Sequence, residues 1–174
     1  MKQINIEQFS KNYQVRKLTL EDIPMIFSFC QKNTQYYEYC GKKLTIELIE
    51  QDIKICPPSI PLNQKYYVGF FDEHQLIAIL DLVDGYPDDY TVFLGFFMMD
   101  VHHQGKGLGS KLIQEVLNYA SCLGFHRVRL GVDKMNPPAI KFWKKNGFEM
   151  MQEIVLEEGI ILLAQKSLMK EEKE

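Results

Sequence analysis

Apolar positions alternate along some stretches of the chain and recur at helical spacing along others. Residues 13–18 read as a short first strand. Thr19 then supplies an N-cap with acidic Asp22 at the third position. Ile23, Ile26 and Phe27 give an apolar face to a helix reaching about Lys32. The segment NTQYYEYCGKK is polar, rich in tyrosine and reads as a loop. Thr45 caps a second helix with Ile46, Ile49 and Ile53 on one face, and Pro57 and Pro58 end it. Residues 66–71, 76–84 and 90–100 are rich in β-branched and aromatic side chains. They are separated by DEHQ and GYPDD, which have turn chemistry. This part predicts an antiparallel meander.

The period changes after Asp100. Leu108, Leu112, Val116 and Ala120 share a helical face over residues 107–123, and Gly124 can end that helix. Val128, Leu130 and Val132 alternate in a strand over 126–132. Asn136 is a good N-cap with Pro137 at the first helical position, where a missing N–H costs nothing. That helix runs to about Asn146, with Gly147 as its stop. Residues 148–156 and 160–167 read as a closing hairpin. The order is β-α-α-β-β-β-α-β-α-β-β, an α+β domain with a mixed sheet flanked by helices. One domain over 1–174 is expected. The end of the chain, residues 170–174, has no apolar residue to bury and is expected to be disordered.

Composition narrows the function. The chain has 174 residues, 46% hydrophobic, enough for one sizeable core. A formal net charge of -3 argues against a nucleic-acid partner and is compatible with cationic acceptors. The polar N-terminus lacks the apolar core of a signal peptide, and the apolar runs are too short for a bilayer. Cys30, Cys40, Cys56 and Cys122 are widely spaced, without C-x-x-C. Free thiols in a cytoplasmic protein, with no metal site, are the expectation. His74 in a turn and His126 at a strand start suggest no metal cluster either.

Candidate chemistry concentrates in DVHHQGKGLGSKL, between a strand and a helix. Gly105, Gly107 and Gly109 let a ligand approach the backbone closely. The first N–H groups of the following helix have no partner within it, and the helix dipole is positive there. A pyrophosphate meets both conditions. Lys106 adds a point charge and Ser110 a hydroxyl. A P-loop would need G-x-x-x-x-G-K-S/T, which does not occur. A dinucleotide fingerprint would need glycine where Ser110 stands.

Gln104-Gly105-Lys106-Gly107-Leu108-Gly109 resembles the Q-x-x-G-x-G coenzyme A signature of GNAT-type N-acetyltransferases. NPPAIKFWKKNGF resembles the family's N-x-x-A-x-x-F-Y/W-x-x-x-G-F segment through Asn136, Ala139, Phe142, Trp143, Gly147 and Phe148. The resemblance covers nearly the whole chain and is weakest before Lys65. It implies a GNAT-like fold with splayed central strands and acetyl-CoA as acyl donor. The acceptor would be the primary amine of a small molecule, attacking the thioester directly. It implies that Phe97, Met98 and Met99 offer exposed backbone to the pantetheine arm. The backbone over 105–110 would meet the pyrophosphate. Asn136 would hydrogen-bond the pantetheine besides capping its helix, and Phe142 would pack near the cofactor. A homodimer through the C-terminal hairpin is a further implication. A peptide amine as acceptor, or a non-catalytic coenzyme A sensor, are alternative readings.

The sequence departs from the family at the acid and the base. Many relatives carry tyrosine where Trp143 stands and use it as general acid, and an indole N–H cannot replace it. Some carry a glutamate base at the position of Gly131. Asp100, ending the strand before the loop, and Asp81, alternating with Ile79 and Val83, are the candidate catalytic carboxylates, with Asp84 a further acidic group. Tyr36, Tyr37 and Asp81 are candidate acceptor contacts, with Glu38 and Tyr39 beside them, since acidic and aromatic groups suit a cationic amine. Of His102 and His103, at most one can face a ligand.

Overall fold

The computed structural model describes residues 2–169; the tail expectation for 170–174 lies outside them. Strands β1 (Gln14–Lys17), β2 (Lys65–Asp72), β3 (Gln75–Asp84), β4 (Thr91–Met99), β5 (Arg127–Asp133), β6 (Glu149–Leu156) and β7 (Gly159–Ser167) form one sheet, ordered β1-β2-β3-β4-β5-β7-β6. Only β4 and β5 are parallel among the described pairs, and their connection carries α4 (Leu108–Cys122). The other pairs are antiparallel, so the expected meander is β2-β3-β4. Helix α5 (Pro137–Lys145) joins β5 to β6, while α1 (Ile23–Cys30), α2 (Thr34–Cys40) and α3 (Ile46–Lys54) lie between β1 and β2 in sequence.

The sheet is buried on both faces by two separate clusters. One packs Leu112, Ile113, Val116 and Leu117 of α4 and Trp143 of α5 against Phe70, Leu80, Leu82, Leu94 and Leu130. The other packs Ile26, Phe29 and Cys30 of α1 and Ile49 of α3 against Tyr67, Ile79 and Met98. Strand β3 is buried over nearly its whole length because it carries apolar side chains to both clusters. No helix among the described residues is long and apolar enough to cross a membrane.

One sequence expectation fails here. Residues 34–40, read as a loop, form α2. Their polarity hides two tyrosines, Tyr36 and Tyr37, that pack edge to face at 5.0 Å and lean on the second cluster. Tertiary packing therefore overrides a weak local preference. Gly41, at φ 64° in the left-handed region, stops the helix.

Leu112, fully buried, holds α4 on the sheet. Truncation to alanine is expected to cost about 2–5 kcal/mol, read as a lowered midpoint in urea with an unchanged slope.

Candidate functional site

Strand β4 pairs with β3 as far as its last residue, Met99, but with β5 only through Thr91, Val92, Phe93 and Leu94, opposite Arg127, Val128, Arg129 and Leu130. A bulge helps to turn it away. Asp81 faces Phe96 and Leu82 faces Leu94, leaving Gly95 without a partner on β3. Past Gly95 a cleft of about 680 Å³ lies between the two strands, floored by β4 and bounded by Leu130, Gly131 and Val132 of β5. The β4 backbone groups that would have paired with β5 are left toward this cleft, as an extended ligand would need.

One end of the cleft is the start of α4. Gly105 and Gly107 have φ of 72° and 78°, so both need a residue tolerant of the left-handed region. A Cβ at either would meet nothing within 4 Å. Within the protein itself their requirement is therefore conformational. Gly109 differs. Its Cβ would come within 3.2 Å of Met99 and 3.4 Å of Phe142, so its small size lets α4 approach β4 and α5. Gly107 caps α4 without a side chain, and the first intrahelical bond runs from Lys111 N–H to Gly107 O. The N–H groups of Leu108, Gly109 and Ser110 precede that bond and are left for an anion.

Polar side chains brace this loop rather than project from it. Gln104 Nε2 donates to Asn33 Oδ1 at 2.7 Å and to Met99 O at 3.0 Å, tying the loop to α2 and to β4. Lys106 Nζ donates to His102 O, and Ser110 Oγ accepts from Asn146 Nδ2 at 3.1 Å. The cleft wall contains Gln104, Gly105, Gly107, Gly109 and Ser110, while Lys106 and Leu108 are outside it. The point charge expected of Lys106 is thus turned back onto its own turn, and Leu108 leans on the core.

Along the floor, Phe97 stacks on Phe142 at 5.9 Å, and Trp143 meets both edge-on. Trp143 also packs against Phe148 and is buried. Asn136 is buried in the wall with Oδ1 accepting from Ala139 N–H, the expected N-cap. Successive β4 side chains diverge: Met98 enters the α1–α3 cluster and Met99 the α4 cluster. A Cβ at Gly131 would come within 2.9 Å of Ile161 Cγ2, so the position favours glycine.

A second cavity of about 460 Å³ shares Tyr36, Gly95 and Phe96 with the cleft. Tyr37, Tyr86 and Phe93 contribute aromatic surface, and Asp52, Asp81, Lys42 and Lys65 contribute charge. Lys65 Nζ donates to Asp81 Oδ2 at 2.6 Å, both residues being buried. Asp81 Oδ1 has no hydrogen-bond partner. Burial pushes the Asp81 carboxyl up to about 6, with Lys65 pulling the other way. Burial also raises Asp52, Tyr36 and Tyr37, so the tyrosines stay neutral donors.

Tyr36 thus stands where the two cavities meet, and Asp81, beside Gly95, and Tyr37 line the second. Asp100 does not reach either. Its carboxylate caps the turn Val101–His103, accepting from His102 N–H and lying 2.9 Å from His103 Nδ1. A carboxylate at the end of a strand was free to act as a cap, and the turn of 3-10 helix after it takes up that option. Asp84 lies in neither lining. Sequence reasoning missed Lys65, Asp52 and Asn33. A lysine opening an otherwise apolar strand, KYYVGFF, was the available signal for the first.

Comparison with known proteins agrees with this architecture. Residues 28–148 match the sequence profile of the Acetyltransferase (GNAT) family. A probable spermine N(1)-acetyltransferase of Bacillus subtilis subsp. natto is 32% identical over 97 residues; the match takes in 51% of this chain and 64% of that relative. An acetyltransferase from Thermus thermophilus superposes with a TM-score of 0.70 at 20% identity, covering 90% of this chain and 97% of that one. The spermidine N-acetyltransferase of Vibrio cholerae, solved with CoA and spermine, gives 0.66 at 20% identity, covering 91% and 97%. These last two likenesses are of fold.

Two outcomes are expected. Gly107→Val, which strains the helix start, should weaken coenzyme A binding at least about tenfold by titration calorimetry, with the circular dichroism spectrum kept. Asp81 has a raised folded pKa, so its contribution to stability is full below about 4 and is lost as pH rises through about 6. Asn mimics the protonated form. Thermal midpoints of wild type and Asp81→Asn should therefore converge below that window and separate above it, with Asn the more stable.

Proposed function

The chain belongs to the acetyltransferase (GNAT) family, and we propose that it transfers the acetyl group of acetyl-CoA to the primary amine of a small cationic molecule. The observation that carries this reading is the meeting of two cavities at Gly95, one suited to the donor and one to the acceptor. The cleft suits the donor: free N–H groups at the start of α4 for the pyrophosphate, unpaired β4 backbone for the pantetheine, and Asn136 beside it. The second cavity suits an amine, with aromatic walls and carboxylates. Relatives described as spermine and spermidine acetyltransferases make polyamines the first acceptors to try.

In this reading Asp81 is the general base. An acceptor arrives as an ammonium ion and gives one proton to the carboxylate of Asp81, which lines the second cavity. A carboxylate with pKa near 6 can take that proton and still be ionised at neutral pH. The nitrogen lone pair then forms the C–N bond as the C–S bond breaks. A backbone N–H left unpaired on β4 past Gly95 stabilises the oxyanion. The second amine proton ends on the departing coenzyme A thiolate. That thiolate is a competent leaving group, since an ordinary thiol ionises near about 8.5. Tyr36 stays neutral and serves as a hydrogen-bond donor, not as an acid. Four free cysteines accord with a cytoplasmic location.

Turnover is read as release of coenzyme A thiol against a panel of mono-, di- and polyamines. Asp81→Asn should lower kcat about 10²-fold or more with the KM for acetyl-CoA unchanged. Tight coenzyme A binding without turnover on any amine would contradict the proposal and favour a sensor.

A further inference from the structure

We propose that the acceptor is an arylalkylamine, a molecule with one ammonium group on a short chain and an uncharged aromatic body. This rests on the reading of the second cavity as the acceptor site.

The charge of that cavity is balanced. Among the described residues, its lining has two carboxylates, Asp52 and Asp81, and two ammonium groups, Lys42 and Lys65. Lys65 Nζ already donates to Asp81 at 2.6 Å, and both residues are buried. Burial pushes the Asp52 carboxyl up while Lys42 and Lys65 pull it back, so its charge too is answered from within the cavity. A polyamine brings several ammonium groups, and each needs a counter-charge or water once it leaves solvent. The cavity has no net negative charge to offer them. A single ammonium is a different case. It loses its charge before reaction, because the attacking nitrogen must be neutral. Further ammonium groups on the same molecule would keep theirs.

The walls have a direction. Tyr36 and Phe96 meet edge-on at 5.6 Å and belong to both cavities, beside Gly95, so they mark the end where the amine attacks. Tyr86 and Phe93 meet edge-on at 5.5 Å and line the second cavity alone, so they mark the end that holds the body of the acceptor. A ring docked on such a pair gains apolar burial and edge-to-face contact together. The surface around it continues in the same character. Val83 and Leu48 line the cavity, and Ile55, 64% exposed, lines it with Pro57 and Pro58. Lys42 is exposed as well as lining, so it sets a positive charge at the mouth, where the far end of a long polyamine would leave. At about 460 Å³ the cavity is within the range that encloses small ligands.

The test compares kcat/KM for phenethylamine, hexylamine, phenylalanine and spermidine at saturating acetyl-CoA. Phenethylamine should exceed spermidine at least about tenfold, with hexylamine between them and phenylalanine, which carries a carboxylate, below phenethylamine. Lys42→Glu makes the cavity net negative and should raise spermidine relative to phenethylamine. In the wild-type protein with coenzyme A bound, NMR should show contacts from the phenethylamine ring to Tyr86 and Phe93, a result that needs neither turnover nor a variant. Spermidine used as well as phenethylamine, a ratio indifferent to Lys42→Glu, or ring contacts only outside the cavity would overturn the inference and leave acetyl transfer to amines standing. Hexylamine ahead of phenethylamine would overturn the aromatic body, and phenylalanine ahead of it the uncharged one. No turnover on any amine would instead remove the reading on which the inference stands.

Discussion

Strands β4 and β5 exchange hydrogen bonds from Thr91 to Leu94 and then part, and the site is organised around the backbone groups this leaves without partners. Unpaired polar backbone inside a folded domain is expensive unless something satisfies it. Here the sheet is held open by features on both sides of the gap. On one side the bulge at Gly95 bends β4, and Asp81 fills the space beside it. On the other, β5 continues in register with β7 from Arg127 to Asp133. The gap is a consequence of strands committed to different neighbours.

The same parting joins the cleft to the second cavity. The floor of the cleft runs along β4 toward α4, where left-handed glycines turn the chain and expose the first N–H groups of the helix. Gln104 locks this turn to both β4 and Asn33, so the glycine loop and the helices that wall the second cavity are connected. Asp81 lines the second cavity beside Gly95.

Much of this was legible before any coordinates. Strong periodicity marked the strands and α4, because apolar residues there face a core directly. Asn136-Pro137 and Gly147 marked α5 through capping chemistry. The glycine loop was legible because Gly105 and Gly107 meet a backbone demand that no other residue satisfies easily. Helix α2 was hidden, since two tyrosines packed edge to face do not look apolar in sequence. Asp100 misled because strand-end carboxylates serve as caps as readily as bases. Lys65 and Asp52 were missed because their importance arises from Asp81, far from both in sequence and brought to them only by the fold.

The central claim is that β4 past Gly95 and the start of α4 together receive acetyl-CoA. Backbone amide NMR during titration with acetyl-CoA tests it most directly. The account predicts that the amides of 96–99 and 105–110 shift together and saturate with one dissociation constant, while those of β1 stay still. Saturable binding that leaves both segments unmoved, or that moves only surface amides elsewhere, would contradict it.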